Sequence, residues 1–303
     1  MFIGALLFSS PLLAVVILPT NAVLTSNVAY GSDPLQKLDV YAPKGVHGAP
    51  IIFMVHGGGW WRGDKAFPGV VQNKINHFLP KGIIFVSVNY RLSPQVGVLD
   101  EAKDVARALI YVQAHATQWG GDPNRVVVMG HSAGAHLTSL VTTAADIHKG
   151  AKRWLGNIEL DSAALNVVQI MKAPHPRSLY DPIFGANPDL WAEASPTLRI
   201  TAAPPPMLMV CSIAHPGSCR QTEEFVDAAY GMAVEYQTGL DHGSIDTTLG
   251  QSNQLTDAVD AFLCSLGVGC GESGARSTDR STKTPPRVLC SLRKHSAKPC
   301  PKR

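Results

Sequence analysis

Short apolar runs alternate with longer stretches of mixed polarity between residues 23 and 270. The runs are rich in β-branched residues and have the length of buried strands. This pattern predicts an α/β fold, with a mainly parallel sheet whose two faces are covered by helices. In chain order the six runs are IIFMVHG (51–57), GIIFVSVNY (82–90), RVVVMGH (125–131), NIELDSA (157–163), PMLMVCS (206–212) and AVEYQTG (233–239).

The clearest helical pattern covers residues 100–120, DEAKDVARALIYVQAHATQWG. Val105, Leu109 and Val112 recur at helical spacing, and acidic residues occupy the first turn, where they favour a helix N-terminus. A proline-rich stretch from about 168 to 205 follows no regular period. We expect it to form an irregular insertion or cap over the sheet edge.

The N-terminal stretch differs from the rest of the chain. Residues 1–22 contain no charged side chain and end in the small-x-small sequence Thr20-Asn21-Ala22. They predict a secretory signal peptide cleaved near Ala22, which leaves residues 23–270 as the folded domain. A single membrane span is the alternative, which Pro11 and Pro19 disfavour because they interrupt the apolar runs.

The charge is concentrated at the other end of the chain. The formal net charge is +3, but residues 271–303 contain nine Lys/Arg and two Asp/Glu, so the preceding residues carry −4. We expect residues 271–303 to be a basic, disordered tail, because they lack an apolar period. The body predicts no nucleic-acid surface, and membrane contact is expected only if the N-terminal segment is retained. The sequence leaves the oligomeric state open.

Cysteine usage favours an oxidising compartment. An even number of cysteines, all in the last third of the chain, is typical of an exported protein with disulfides. Fifteen pairings are possible, and closeness in sequence favours Cys211–Cys219 and Cys264–Cys270. None of the cysteines has the C-x-x-C spacing of a metal site. The six are Cys211, Cys219, Cys264, Cys270, Cys290 and Cys300.

The third apolar run leads directly into Gly130-His131-Ser132-Ala133-Gly134 and then into a helical pattern. A strand, the pattern G-x-S-x-G and a helix together force the serine into a strained turn. The turn exposes the serine hydroxyl above the carboxyl edge of the sheet, where parallel sheets carry their chemistry. Ser132 is therefore the candidate nucleophile.

A second glycine motif, HGGGW at residues 56–60, follows the first apolar run. Consecutive glycines allow backbone N–H groups to turn inward and bind a developing oxyanion, which lowers the barrier by several kcal/mol when the donors are fixed. We expect the N–H groups of Gly58, Gly59 and Ala133 to form such an oxyanion hole. A flexible glycine loop without this role is the alternative.

Four motifs together resemble a known family. HGGGW (56–60), NYRLSP (89–94), GGDPNRV (120–126) and GHSAGAH (130–136) are similar to motifs of the α/β-hydrolase esterases of the hormone-sensitive-lipase and feruloyl-esterase-like type. The resemblance covers roughly residues 30–265. It implies an eight-stranded mainly parallel sheet and a serine carboxylesterase for small-molecule esters. It further implies no metal or organic cofactor, and a triad of serine, acid and histidine. Kynurenine formamidases share much of the pattern, so hydrolysis of a formyl amide is an alternative.

The resemblance places the triad histidine at His242, in the sequence Asp241-His242-Gly243 that follows the last apolar run. A histidine is needed there because a serine hydroxyl is a poor nucleophile until a base takes its proton. His56 and His131 belong to the two glycine turns, where local hydrogen bonding is expected. His215 precedes a proline in a loop.

The triad acid departs from the family pattern. The family usually has an aspartate in the loop after the seventh strand, here CSIAHPGSCRQ (211–221), yet this loop contains no acidic residue and has His215 or Gly217 at the expected place. Asp161 and Glu223 are the substitutes. We predict Asp161, because a strand-end aspartate in LDSA is similar to the LDPA stretch of pancreatic-type lipases. A scaffold without an acid, active weakly or serving only as a binding protein, is the alternative.

Overall fold

The computed structural model describes residues 15–200 and 204–270. The fold below is that of the described residues up to Gly269. The predicted tail at residues 271–303 and the first 14 residues of the predicted signal peptide lie outside the described residues.

The described residues form an eight-stranded sheet whose spatial order is β1-β2-β4-β3-β5-β6-β7-β8. The first two strands are antiparallel to their neighbours, and all later neighbours are parallel. The predicted α/β fold with a mainly parallel sheet is therefore confirmed. The strands are β1 Ala22–Ala29, β2 Lys37–Pro43, β3 Ala49–Val55, β4 Ile84–Val88, β5 Gly121–His131, β6 Gly156–Leu160, β7 Met207–Ser212 and β8 Ala233–Thr238.

Nine α-helices connect or flank these strands within the described residues. Short 3-10 helices follow two of them, at Leu79–Lys81 and Ala116–Trp119, and a third covers Pro196–Arg199. The α-helices are α1 Pro68–Phe78, α2 Val98–His115, α3 Ala133–Thr143, α4 Val167–Lys172, α5 Arg177–Phe184, α6 Pro188–Glu193, α7 Pro216–Ala228, α8 His242–Thr248 and α9 Gln254–Ser265.

Each of the six apolar runs overlaps a strand, whereas the positions of β1 and β2 were not predicted. β1 is an edge strand with polar residues at Thr25, Ser26 and Asn27, and most of it is exposed. It forms by antiparallel pairing with β2, which brings Ala22 opposite Pro43. Pairing of this kind leaves no hydrophobic period in the sequence, because an exposed edge strand does not need to bury either face.

The central strands have apolar side chains on both faces. In β3, Phe53 and Val55 pack with the side chains of α2 and α3, whereas Ile52 and Met54 pack with those of α1 and α9. Alternation along a strand therefore divides the core into two layers. Both layers are buried because helices cover both sides, as a parallel sheet requires.

The stretch 168–205 is more regular than predicted. It contains most of α4, all of α5 and α6 and a 3-10 turn, and residues 201–203 are not described. It packs on the functional edge of the sheet: the carbonyl of Ala194 lies 2.8 Å from His136 Nε2, and Phe184 packs edge-on against Trp60. Pro176, Pro188 and Pro196 stand at or next to helix starts, where the missing N–H is tolerated, whereas Pro182 lies inside α5.

A disulfide joins Cys211 at the end of β7 to Cys219 in the first turns of α7. This confirms the first of the two predicted pairings. Cys264 and Cys270 are likewise disulfide-bonded cysteines. The described helices include none that is both long and apolar enough to cross a membrane.

A buried ion pair ties α1 to α8. Lys74 Nζ lies 2.7 Å from Asp246 Oδ1 and donates to the Asp246 carbonyl at 2.6 Å. The two side chains are only 1% and 8% exposed. Burial alone would raise the pKa of Asp246, but the Lys74 ammonium above all holds it below its usual value, so the carboxylate keeps its charge.

We predict that Lys74→Met lowers the free energy of unfolding by about 3–5 kcal/mol, because it leaves the Asp246 carboxylate buried without its cation. The measurement is urea unfolding of the full chain followed by tryptophan fluorescence. Lys103→Met is the matched control, because at least half of each side chain in the Lys103–Asp100 pair is exposed. It should change stability by no more than about 0.5 kcal/mol. Equal losses in the two variants would contradict this interpretation of the buried pair.

Candidate active site

Ser132 occupies the sharp turn between β5 and α3. Its backbone has φ 55° and ψ −120°, in a region that L-residues rarely adopt, and it is the residue immediately before α3. The first N–H groups of α3 have no partner within the helix and point toward the serine. The turn therefore presents the Ser132 hydroxyl at the helix N-terminus, as the G-x-S-x-G pattern predicts.

Gly130 and Gly134, the two glycines of the pattern, have no room for a side chain because other backbone atoms lie close to them. A Cβ atom added at Gly130 would lie 2.4 Å from the carbonyl oxygen of Gly134. One added at Gly134 would lie 2.3 Å from the carbonyl oxygen of Val55, the last residue of β3. The absence of side chains thus lets α3 start directly against the strand next to β5.

His242 is the first residue of α8, and its ring reaches Ser132. The distance from His242 Nε2 to Ser132 Oγ is 2.9 Å, although 110 residues separate the two in sequence. Asp241 caps α8 by accepting the N–H of Ser244 at 2.8 Å, which fixes the start of the helix. The His242 side chain is 44% exposed, so a substrate has access to this edge.

Asp161 lies immediately after β6, next to β5 in the sheet, and its side chain is fully buried. Its Oδ2 lies 2.7 Å from His242 Nδ1. The turn that holds it is left-handed, with φ 59°, and its N–H donates to the Val210 carbonyl at 2.8 Å. The structure thus brings Asp161, His242 and Ser132 into one continuous line of hydrogen bonds.

The loop after β7 supplies donors to the buried carboxylate. Burial alone would raise the pKa of Asp161, but hydrogen bonds from His242, from the Ser218 hydroxyl and from the Ser212 N–H together hold it below its usual value. The Ser212 N–H donates to Asp161 Oδ1 at 2.8 Å. Asp161 therefore stays ionised although it is buried. Ser212 and Ser218 were not singled out in the sequence, because small serines in a loop carry no signal of their own.

The other candidates for the acid lie elsewhere. Glu223 is exposed in the middle of α7, and Gly217 is in the first turn of that helix. His215 is the exposed residue that precedes α7, and its ring centre is 6.0 Å from that of His242. The loop that lacks an acid thus places an imidazole near the histidine of the site.

The glycine loop after β3 runs past the serine. A Cβ atom added at Gly57 would lie 2.9 Å from Ser132 Cβ, so the loop is in contact with the elbow. Gly58 and Gly59 follow with φ of 124° and 63°, and a side chain at Gly58 would overlap the Arg62 carbonyl. Left-handed backbone at two successive positions explains why glycines stand there. His56, at the start of the loop, donates from Nδ1 to the Gly57 carbonyl at 2.7 Å.

His131 forms a hydrogen bond with the backbone of His242. Its Nε2 donates to the His242 carbonyl at 2.8 Å, and its Nδ1 lies 3.7 Å from Asp246 Oδ2. Burial lowers the pKa of His131, so the ring is neutral. His131 therefore connects the Lys74–Asp246 ion pair to the backbone of His242. Sequence analysis assigned His131 only to local hydrogen bonding, because its partners lie more than a hundred residues away.

Glu159, in β6 just before the Asp161 turn, is a second buried carboxyl group. Burial raises its pKa well above the usual value, so it is neutral and does not repel Asp161. Its Oε1 accepts the Ser162 N–H at 2.5 Å, which shapes the turn that carries Asp161. Two neighbouring carboxyl groups thus differ in charge because only one of them faces a histidine.

Comparison with known proteins supports an esterase-like chain. The family model BD-FAE matches residues 38–216, which is more than half of the chain. The chain is 27% identical over 261 residues to the isoprenylcysteine alpha-carbonyl methylesterase ICME of Arabidopsis thaliana, covering 78% of this chain and 60% of the relative. It is 33% identical over 180 residues to the probable carboxylic ester hydrolase LipM of Mycobacterium tuberculosis, covering 54% of this chain and 40% of the relative. Both matches thus span less than two thirds of the relative's length.

Solved structures share the fold. A truncated carbohydrate esterase from gut microbiota superposes with a TM-score of 0.69 at 20% identity, covering 84% of this chain and 100% of that one. Esterase 2 of Thermogutta terrifontis superposes with a TM-score of 0.66 at 22% identity, covering 84% of this chain and 97% of that one. At these identities the likeness shows the α/β-hydrolase fold.

Proposed function

The chain belongs to the BD-FAE family, and from that premise we propose that it is a carboxylic ester hydrolase that works through an acyl-enzyme on Ser132. The observation that carries the proposal is the line of hydrogen bonds from Asp161 through His242 to Ser132, with distances of 2.7 Å and 2.9 Å. Nucleophile, base and orienting acid within hydrogen-bond reach are what acyl transfer on serine requires.

In the proposed mechanism, the hydrogen bonds of His242 with Asp161 and Ser132 set the direction of proton movement. Asp161 accepts the proton on His242 Nδ1, so the lone pair on Nε2 faces the Ser132 hydroxyl. As Ser132 Oγ attacks the ester carbonyl carbon, its proton passes to Nε2. The same proton then goes to the departing alcohol oxygen when the acyl bond to the alcohol breaks. A water molecule repeats the sequence on the acyl-enzyme, which releases the acid and restores Ser132.

The carbonyl oxygen gains negative charge during both steps, and backbone donors are proposed to bind it. We assign this role to the N–H groups of Gly58, Gly59 and Ala133. Support comes from the contact between the glycine loop and Ser132 and from the position of Ala133 as the first residue of α3. Donors of this kind contribute several kcal/mol to the lowering of the barrier when they are held in place.

The hydrogen bond between Asp161 and His242 favours an enzyme over a binding protein. The argument for a binding protein was the absence of an acid in residues 211–221, and a buried, ionised aspartate on the neighbouring strand removes it. The names of the relatives support carboxylic esters as the substrate class, so p-nitrophenyl acetate is a suitable first probe.

We also propose that the protein is secreted after removal of residues 1–22. The disulfide between Cys211 and Cys219 supports an oxidising compartment. Cleavage after Ala22 is compatible with the sheet, because β1 pairs with β2 through its later residues as well, with Thr25 opposite Val40.

Mass spectrometry of the exported protein should find an N-terminus near Val23. Cys211 and Cys219 should resist alkylation until the protein is reduced, because each sulfur is bonded to the other. An exported protein that retains Met1 would contradict signal cleavage, and alkylation of both cysteines before reduction would contradict the oxidising compartment.

We predict that Ser132→Ala lowers hydrolysis of p-nitrophenyl acetate to the background rate, a loss on the order of a million-fold for a serine nucleophile. Ser139→Ala is the matched control, because Ser139 is a buried serine of the same helix. It should keep most of the rate. Labelling by a fluorophosphonate, read by mass spectrometry, should modify the wild-type protein at Ser132 and leave the Ser132→Ala variant unmodified. A rate in Ser132→Ala above a few per cent of wild type would overturn the assignment.

We predict that Asp161→Asn lowers kcat about ten-thousand-fold, because an amide favours the wrong tautomer of His242. Glu223→Gln, the control for the other candidate acid, should leave kcat close to wild type. Both variants are measured at saturating p-nitrophenyl acetate, with circular dichroism to verify folding. Near-wild-type turnover in a folded Asp161→Asn protein would show that Asp161 does not act through His242.

A further inference from the structure

His215 has no part in the hydrolysis proposed above, yet it faces the catalytic edge. It is exposed, it immediately precedes α7, and its ring meets that of His242 edge-on at a centroid distance of 6.0 Å. It also stands in the loop where the resemblance leads one to expect an aspartate. The site therefore contains an additional imidazole.

Three side chains converge at this place. One oxygen of Asp161 and one ring nitrogen each of His215 and His242 lie within 4.8 Å of one another. Two imidazoles and a carboxylate are the protein ligands of many zinc sites that keep a fourth position open. Tetrahedral zinc with bond lengths of about 2.0–2.1 Å has its ligand atoms roughly 3.3 Å apart. No pair of the three therefore needs to approach by more than about 1.5 Å.

The backbone of His215 is held in place while its side chain remains accessible. Its N–H donates to the Ser212 carbonyl at 3.0 Å, and its carbonyl accepts the Ser218 N–H at 2.9 Å. The disulfide between Cys211 and Cys219 closes this loop. The same loop supplies the two serine donors to Asp161, so one short segment fixes both the carboxylate and the second histidine.

A second group of possible ligands does not qualify. Cys211, Cys219 and Glu235 also lie close together. The two sulfurs are bonded to each other, however, so neither is a thiolate that binds a metal while the disulfide is intact.

We infer that Asp161, His215 and His242 form a binding site for a divalent transition metal such as zinc, and that its occupancy stops hydrolysis. The binding site stands on the geometry alone, whereas the inhibition rests on the proposed function. The adjustment needed for coordination falls on the rings of His215 and His242, which are exposed, while Asp161 is fixed by its buried donors.

Coordination removes the base because a neutral imidazole has a single lone pair. A cation between Asp161 and His242 Nδ1 takes the place of the proton that these groups share, and the one ring proton then resides on Nε2. Nε2 in that form donates to Ser132 Oγ and no longer accepts its proton. Coordination through Nε2 occupies the same lone pair directly. The ring proton moves from Nδ1 to Nε2 and no bond between heavy atoms is broken, so a chelator reverses the inhibition.

The first test is inhibition of p-nitrophenyl acetate hydrolysis by ZnCl₂ in wild type, His215→Asn and His47→Asn. Each variant's own metal-free rate is its reference, so a change in basal rate does not enter the inhibition constant. We expect His215→Asn to raise the inhibition constant for zinc at least about tenfold. Removing a residue that only hydrogen-bonds to a metal ligand already lowers metal affinity about 10–100-fold, so loss of a ligand should cost no less. His47 is an exposed histidine outside the cluster, so His47→Asn should behave as wild type. EDTA should restore the rate.

The second test does not depend on activity. Isothermal titration of ZnCl₂ into Ser132→Ala protein should show one site, and the same protein with His215→Asn should bind at least about tenfold more weakly. Zinc binding that needs His215, found together with a wild-type protein that hydrolyses no ester, would uphold the metal site and refute the proposed function. Equal zinc affinity with and without His215, or no saturable binding to Ser132→Ala, would overturn the metal site.

Discussion

Keeping the carboxylate of Asp161 buried and charged is the constraint that the catalytic edge depends on. A buried carboxylate loses its hydration, which by itself favours the neutral acid. Asp161 remains ionised because His242, the Ser212 N–H and the Ser218 hydroxyl replace the lost water as donors. Glu159, two residues earlier, lacks such a set of donors, and burial raises its pKa well above the usual value. The charge of this turn is therefore decided by hydrogen bonds from β7, α7 and α8.

The turns that carry the site residues are joined by their backbones as well as by their side chains. The Ser132 N–H donates to the Leu160 carbonyl at 3.0 Å, which links the serine turn to the end of β6. The Ser212 hydroxyl donates to the Leu240 carbonyl at 2.6 Å, which links the loop after β7 to the segment before His242. Parallel strands bring their carboxyl ends to one edge, and these bonds continue the sheet into the loops. The line of side-chain hydrogen bonds thus rests on a rigid frame.

The segment from Cys211 to Cys219 contains no carboxylate, but it carries the Ser212 and Ser218 donors to Asp161. The same segment places His215 beside His242. One short segment therefore contributes both to the proposed catalytic acid and to the proposed metal site.

The sequence by itself determined the parallel sheet, the elbow at Ser132 and the glycine loop, because each depends on local patterns of apolar residues and glycines. It missed β1, an exposed edge strand that forms by pairing with β2. It predicted Asp161 rather than Glu223 as the acid, from the position of Asp161 at a strand end and from the likeness of LDSA to the LDPA stretch of pancreatic-type lipases. Only the tertiary structure decided that Asp161 meets His242, 81 residues away, while Glu223 faces solvent. The physical reason is that a hydrogen bond is specified by direction and distance in space, and strand order in the sheet sets both.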